Sequence, residues 1–231
     1  MRFWFLALLL VSLAFSSSIL IVMDASGSME DLLPSGEAKI DAAKDAANSF
    51  IQSSTSDEIA VMEFSGCSDT YDSPDPLRGD IRVIQGFTTD KSLLRQAVNS
   101  IEPYGDTPIA ASLEEAVEYF RLQNRQNGMI ILLTDGEETC GGDAEEAAAL
   151  AYDQGYAVVN VIAYDLDEGA LEDARRIATA GGGNVYTADN PEELQQAFTR
   201  AGSQSTYCIP IFVFALTGFL VLREKKASDK N

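Results

Sequence analysis

Short runs of apolar residues alternate along this chain with longer segments in which apolar residues recur every three or four positions. The short runs are typical of strands that are buried on both faces of a sheet, and the longer segments of helices that pack one face against it. The pattern predicts strands over residues 19–24, 58–65, 81–84, 129–134, 157–163 and 184–186. It predicts helices over residues 37–53, 90–100, 108–124, 144–154, 169–180 and 191–202.

Alternation of strands and helices along most of the chain predicts an α/β fold, with a doubly wound, mainly parallel sheet and helices on both faces. Segment 81–84 is the exception, because no helix separates it from the strand before it. We therefore expect it to form one antiparallel edge strand. Pro191 is suited to the first position of the last helix, with Asn190 as its cap. No second domain and no repeat is expected, so the predicted architecture is a single Rossmann-like unit.

Both ends of the chain are apolar blocks. Residues 1–16 begin with one positive charge and an apolar stretch and then reach small residues, which predicts a signal peptide; a retained anchor is the alternative. Residues 207–222 are uncharged and are followed by a basic flank, which predicts a transmembrane helix with a cytoplasmic tail over 223–231. A packed hydrophobic terminus is the alternative.

These two ends predict a single-pass membrane protein, and residues 203–206 would form a short linker to the anchor. Residues 18–202 would then form one domain outside the cytoplasm, either in the periplasm or at the cell surface.

The composition narrows the possible functions. With 231 residues, of which 46% are hydrophobic, the chain can bury one substantial core. It contains no histidine, which excludes histidine-based catalytic triads, histidine general bases and histidine metal sites. The net charge of −20 argues against nucleic-acid binding, because no basic face is available to neutralise phosphates.

Cysteine placement fits an exported domain. Cys67 and Cys140 each follow closely on a predicted strand, so both are expected at the same edge of the sheet. A disulfide between them is compatible with an oxidising compartment, and two unpaired thiols are the alternative. The third cysteine, Cys208, lies inside the C-terminal apolar block.

An oxygen-rich motif follows the first predicted strand. Asp24-x-Ser26-x-Ser28 offers one carboxylate and two hydroxyls within five residues, a ligand set suited to Mg²⁺, Mn²⁺ or Ca²⁺ and poorly suited to zinc or copper. Asp135 likewise ends a buried strand, and Thr107 lies in a loop that opens a helix. Asp24 and Asp135 could therefore end neighbouring strands at the switch point of the sheet, where α/β folds place their ligand sites.

The joint presence and order of these motifs resembles the von Willebrand factor A domain family. The same five residues match that family's metal-ion-dependent adhesion site, and the resemblance covers roughly residues 18–202. It implies that Ser26, Ser28 and Thr107 contact the metal directly, while Asp24 and Asp135 act directly or through water.

The resemblance also implies a bound cation and a partner. Mg²⁺ is the usual metal of the family, with Mn²⁺ or Ca²⁺ possible here, and a carboxylate from a partner often completes the octahedron. Residues 64–67 and 135–143 look most like bacterial secreted members, which adds support for the Cys67–Cys140 disulfide.

The resemblance implies a divalent-cation-dependent protein-binding or adhesion module rather than an enzyme. Its partner would be a protein ligand or a partner subunit that presents an Asp or Glu carboxylate. An alternative is an accessory subunit of an envelope complex that is channel-, chelatase- or chaperone-like. A further alternative is a Mg²⁺-dependent hydrolase that uses Asp24 or Asp135. Against it, the chain has neither a histidine base nor a Gly-x-Ser-x-Gly elbow.

Overall fold

The structure, a computed structural model, describes residues 18–55, 58–67 and 81–203, and within them strands and helices alternate as predicted. The strands are β1 (Ser18–Asp24), β2 (Glu58–Phe64), β3 (Ile81–Thr88), β4 (Gly128–Thr134), β5 (Ala157–Tyr164) and β6 (Gly182–Ala188). The helices are α1 (Lys39–Ser53), α2 (Lys91–Asn99), α3 (Ile109–Leu122), α4 (Ala144–Asp153), α5 (Glu168–Ala180) and α6 (Pro191–Gly202). A short 3₁₀ helix over Gly27–Glu30, which the apolar pattern does not predict, follows β1.

The strands form one sheet in the order β3-β2-β1-β4-β5-β6. All neighbouring pairs are parallel except β2 and β3, which are antiparallel. The predicted fold class is therefore confirmed, including the antiparallel edge strand. The strand order reverses between β1 and β4, and the crevice above these two strands is the switch point of the sheet.

Helices cover both faces of the sheet, which explains why its central strands are apolar throughout. The side chains of Ile19, Ile21 and Met23 in β1 pack with α1, α2 and α6. The alternate side chains, Leu20 and Val22, pack with α3, α4 and α5 on the opposite face. Because both faces of β1 are buried, every position before Asp24 has to be compatible with the core.

Side-chain caps start four of the helices. The acceptors are Asp90 for α2, Asp143 for α4, Asp167 for α5 and Asn190 for α6, and each receives a hydrogen bond from a backbone N–H of the first turn. Pro191 occupies the start of α6 directly after its cap, as predicted. Part of the acidity of the chain thus compensates backbone donors at helix N-termini.

The predicted signal peptide over 1–16, the transmembrane helix over 207–222 and the tail over 223–231 lie outside the described residues, as does most of the linker. Among the residues that the structure does describe, no helix is both long and apolar enough to cross a membrane.

Candidate metal centre

Asp24 lies fully buried at the end of β1, and both of its carboxylate oxygens accept hydrogen bonds. The parallel pairing of β1 and β4 places Asp24 beside Thr134, whose hydroxyl donates to Asp24 Oδ2 at 2.7 Å. The backbone N–H of Ser26 donates to Asp24 Oδ1 at 2.8 Å. These two contacts orient the carboxylate at the switch point of the sheet.

A chain of hydrogen bonds links the two serines to Asp135. Ser26 Oγ and Ser28 Oγ are 3.0 Å apart, and Ser28 Oγ donates to Asp135 Oδ1 at 2.6 Å. Since the Ser28 proton is directed at Asp135, Ser26 is the donor between the two serines. The short helix Gly27–Glu30 turns the chain immediately after Ser26 and brings Ser28 towards Asp135.

Thr107 is nearly buried in a loop that is tied to both of the other site segments. Its N–H donates to Thr139 Oγ1 at 2.8 Å, and the N–H of Thr139 donates back to Thr107 O at 3.1 Å. On the other side, the N–H of Gly27 donates to Gly105 O at 3.0 Å. A Cβ built at Gly136 would lie 3.8 Å from Thr107 Oγ1, so the hydroxyl lies beside the segment that carries Asp135.

The loop before Thr107 requires a glycine, and a disulfide braces the same edge of the sheet. Gly105 has a φ of +73°, and a Cβ there would lie 3.0 Å from the backbone nitrogen of Gly66. One residue beyond Gly66, Cys67 forms a disulfide with Cys140, with 5.3 Å between their Cα atoms. The bond ties the segment after β2 to the segment after β4, which carries Asp135.

Burial makes the negative charge of Asp24 costly. It raises the pKa of Asp24 from 3.8 to about 6, and the nearby charge of Asp135 acts in the same direction. The hydrogen bonds from Ser26 and Thr134 lower the pKa and offset only part of this effect. The site thus contains a buried carboxylate whose charge the protein does not fully compensate, which is the situation that a bound cation relieves.

Asp135 already has a cationic partner, Lys39, at the start of α1. Lys39 Nζ lies 3.0 Å from Asp135 Oδ2 and 3.0 Å from Asp165 Oδ2. Burial disfavours the charged lysine, but its hydrogen bonds to the two carboxylates outweigh that effect and raise its pKa. Sequence reasoning missed this residue.

A signal for Lys39 was nevertheless present in the helix pattern. Lys39 shares the buried face of α1 with Ala43, Ala46 and Phe50, at helical spacing. A lysine on such a face requires a buried partner.

The donor set fits a hard divalent cation. A Mg²⁺ ion with metal–oxygen distances of about 2.1 Å holds adjacent ligands about 3.0 Å apart, which matches the separation of the two serine oxygens. Within the described ranges, no group of three or more His, Cys, Asp or Glu side chains could hold a metal ion. Three of the five candidate ligands are hydroxyls. Asp24, Ser26, Ser28, Thr107 and Asp135 are the residues that would hold the ion.

Comparisons with known proteins agree with this architecture. Residues 18–200 match the von Willebrand factor type A domain. YwmC of Bacillus subtilis strain 168 is 33% identical over 190 residues, which cover 80% of this chain and 82% of YwmC.

Two solved structures extend the likeness at the level of the fold. An aerotolerance-related membrane protein from Bacteroides fragilis superposes with a TM-score of 0.63 and 22% identity, over 80% of this chain and 98% of that protein. The vWF domain of the type V pili tip protein Mfa5 from Porphyromonas gingivalis gives a TM-score of 0.63 and 15% identity, over 80% of this chain and 93% of that structure. With the match over residues 18–200, the chain belongs to the von Willebrand factor type A domain family.

Proposed function

We propose that this protein is a divalent-cation-dependent protein-binding module that is tethered to the membrane with its domain outside the cytoplasm. The observation that carries the proposal is the hydrogen-bonded cluster in which the N–H of Ser26 binds Asp24 and the hydroxyls of Ser26 and Ser28 lead on to Asp135. It lies at the switch point of the sheet, where a ligand outside the strand ends can reach it. The occurrence of this fold in a pilus tip protein and in a membrane protein is consistent with the proposal.

The chemistry of the site favours binding a carboxylate from another protein. The cation, when bound, would supply a positive charge with an open coordination position for that carboxylate. Three of the five proposed ligands are neutral hydroxyls, so they leave more of the positive charge uncompensated than a site built from carboxylates would. Ser26, Ser28 and Thr107 would contact the ion directly, while Asp24 and Asp135 would act on it directly or through bound water.

The geometry gives a binding role more support than a hydrolytic one. A nucleophilic carboxylate needs an oxygen that is free to approach a substrate, whereas both oxygens of Asp24 accept hydrogen bonds and its side chain is fully buried. Among the described residues, the hydrogen-bond partner of Asp135 Oδ2 is Lys39 Nζ, so that oxygen is also engaged. We therefore propose a binding module and not an enzyme.

Metal binding can be tested on the full chain in detergent. Isothermal titration with MgCl₂ should give a saturable signal for the unaltered protein. We expect the signal to be lost in Asp24→Ala and retained in Asp45→Ala, which removes an exposed carboxylate from α1. Equal binding by Asp24→Ala would contradict the site.

Partner binding requires a second experiment. Proteins captured by the full chain from its own membranes and from external surfaces would be compared with Mg²⁺, with EDTA and with Asp24→Ala. We expect specific capture only with Mg²⁺ and the unaltered site, and unchanged capture in EDTA would contradict metal dependence. Partners drawn from the same membrane would favour an accessory subunit of an envelope complex, as the likeness to a bacterial membrane protein suggests. Partners drawn from outside would favour adhesion.

A further inference from the structure

Lys39 is a buried cation at a position where a helix does not favour one. It is the first residue of α1, where the positive end of the helix dipole lies, so the helix itself gives a cation no stabilisation. Its side chain is only 10% exposed. The contacts of its ammonium group, rather than helix preference, therefore explain its placement.

Those contacts divide the two oxygens of Asp135 between different donors. Oδ1 accepts the hydroxyl of Ser28 at 2.6 Å, on the side of the proposed metal ligands. Oδ2 accepts Lys39 Nζ at 3.0 Å, on the side of α1. Asp165, the other partner of Lys39, has a half-exposed side chain, whereas the side chain of Asp135 is fully buried. The pair between Lys39 and Asp135 is therefore the one that water screens less.

An ammonium on Oδ2 limits the coordination that Asp135 can offer. Ca²⁺ takes six to eight oxygen ligands, often including both oxygens of a carboxylate, whereas Mg²⁺ requires an octahedron and keeps several waters. Asp135 could bind a cation through both oxygens only if Oδ2 left Lys39. That change would leave a buried ammonium without its fully buried partner, which is strongly unfavourable.

We propose that Lys39 determines the metal specificity of the site, because it holds Asp135 Oδ2, restricts Asp135 to a single oxygen and thereby favours Mg²⁺ over Ca²⁺. This inference rests on the proposed metal-dependent function. Lys39 contacts no metal in this arrangement and acts through Asp135, so it is a positioning residue.

The test measures metal selectivity and not metal affinity alone. The full chain, stripped with EDTA and dialysed, is titrated separately with MgCl₂ and CaCl₂ by calorimetry, and the readout is the ratio Kd(Mg)/Kd(Ca). Loss of the lysine charge should tighten binding of both divalent ions, and the ratio cancels that shared effect. We expect Lys39→Met to raise the ratio at least tenfold in favour of Ca²⁺.

Two further variants provide the matched controls. Lys39→Arg keeps a cation beside Oδ2, and Lys44→Met removes the same charge from a half-buried position in the same helix. Both should leave the ratio within about threefold of the unaltered protein, a change of less than about 1 kcal/mol. A ratio that does not change in Lys39→Met, or that changes equally in Lys44→Met, would overturn the inference.

A structure of the unaltered protein with Ca²⁺ decides the case where Lys39→Met does not fold. One oxygen of Asp135 directed at the site, with Oδ2 still on Lys39, would support the inference, and coordination through both oxygens would overturn it. Absence of binding of either metal to the unaltered protein would instead contradict the proposed function. The two failures are therefore distinguishable.

Discussion

Asp24→Asn should stabilise the metal-free protein, although it removes a proposed metal ligand. Burial raises the pKa of Asp24 from 3.8 to about 6, so the folded state disfavours the ionised carboxylate by about 3 kcal/mol above pH 6. Asparagine carries no charge and avoids this cost. At about pH 8 and without metal, we therefore expect the free energy of unfolding of the Asp24→Asn protein to exceed that of the unaltered protein by about 1–3 kcal/mol.

The hydrogen bonds at this position can be retained by asparagine. Its Oδ1 can accept from the N–H of Ser26, as Asp24 does at 2.8 Å. Its Nδ2 can donate to Thr134 Oγ1, whose own proton can turn to Gly136 O at 3.2 Å. The substitution therefore leaves no buried polar group without a partner, which would otherwise cost about 1–3 kcal/mol.

The sign of the pH dependence follows from the raised pKa. The group binds a proton more readily in the folded state, so its contribution to stability is complete below about pH 4 and is lost as the pH rises through about 6. The advantage of Asp24→Asn should therefore shrink to about 1 kcal/mol or less at about pH 4. Mg²⁺ should reverse the order at about pH 8, because ion concentrations of about 100 to 1,000 times Kd stabilise only the unaltered protein, by about 3–4 kcal/mol.

Denaturant unfolding followed by circular dichroism measures these differences in EDTA and in MgCl₂. Asp45→Asn is the matched control, because it removes an exposed carboxylate and should change stability by less than about 0.5 kcal/mol. A metal-free Asp24→Asn protein that is less stable than the unaltered one at about pH 8 would refute the reasoning. A difference that does not shrink on acidification would refute it as well.

Three further changes test individual contacts within the domain, each by its effect on the free energy of unfolding. Tyr164→Phe should leave stability unchanged or raise it by up to about 1 kcal/mol, because its buried hydroxyl has no hydrogen-bond partner in the described part of the chain; a loss above about 1 kcal/mol would argue against this. Replacing Cys67 and Cys140 together by serine should cost about 4 kcal/mol, since their bond spans 73 residues; an unchanged melting temperature under oxidising conditions would contradict this. Asn160→Ala should cost about 2–4 kcal/mol, because its buried amide donates to Ala201 O at 3.0 Å and accepts a backbone N–H; a cost below about 1 kcal/mol would contradict it.

The arrangement of Asp24 and Asp135 could be predicted because it depends on strand pattern alone. Each follows an uninterrupted apolar run, and such runs are needed where a parallel strand is covered on both faces. The strand β3 was predicted less well, because it is half-exposed along its length. Gln85 and Thr88 interrupt its apolar pattern, although they pair with β2 across register shifts. An edge strand can tolerate such residues, so its end leaves little trace in the pattern.

The contacts of Lys39 and Thr139 could not be predicted, because each depends on loops that meet only in the folded chain. Thr139 exchanges hydrogen bonds with the backbone of Thr107, which is 32 residues away in sequence. Lys39 and Asp135 are 96 residues apart. Hydrophobic periodicity shows which face of a helix is buried, but it does not show which carboxylate a buried lysine will contact.

The two carboxylates of the candidate site differ in how their charge is compensated, and this difference bears on the proposed function. Lys39 forms an ion pair with Asp135, whereas the donors that Asp24 receives from the described residues, Ser26 and Thr134, are neutral. A divalent cation would therefore interact most strongly with the uncompensated charge of Asp24. Its interaction with Asp135 would be weaker, because Lys39 already neutralises that carboxylate. With Asp24, Asp135, Asp165 and Lys39 charged, the loaded site would carry no net charge, so an open coordination position on the ion would be what draws a partner carboxylate. The free energy that burial of Asp24 costs in the metal-free state would favour retention of the cation.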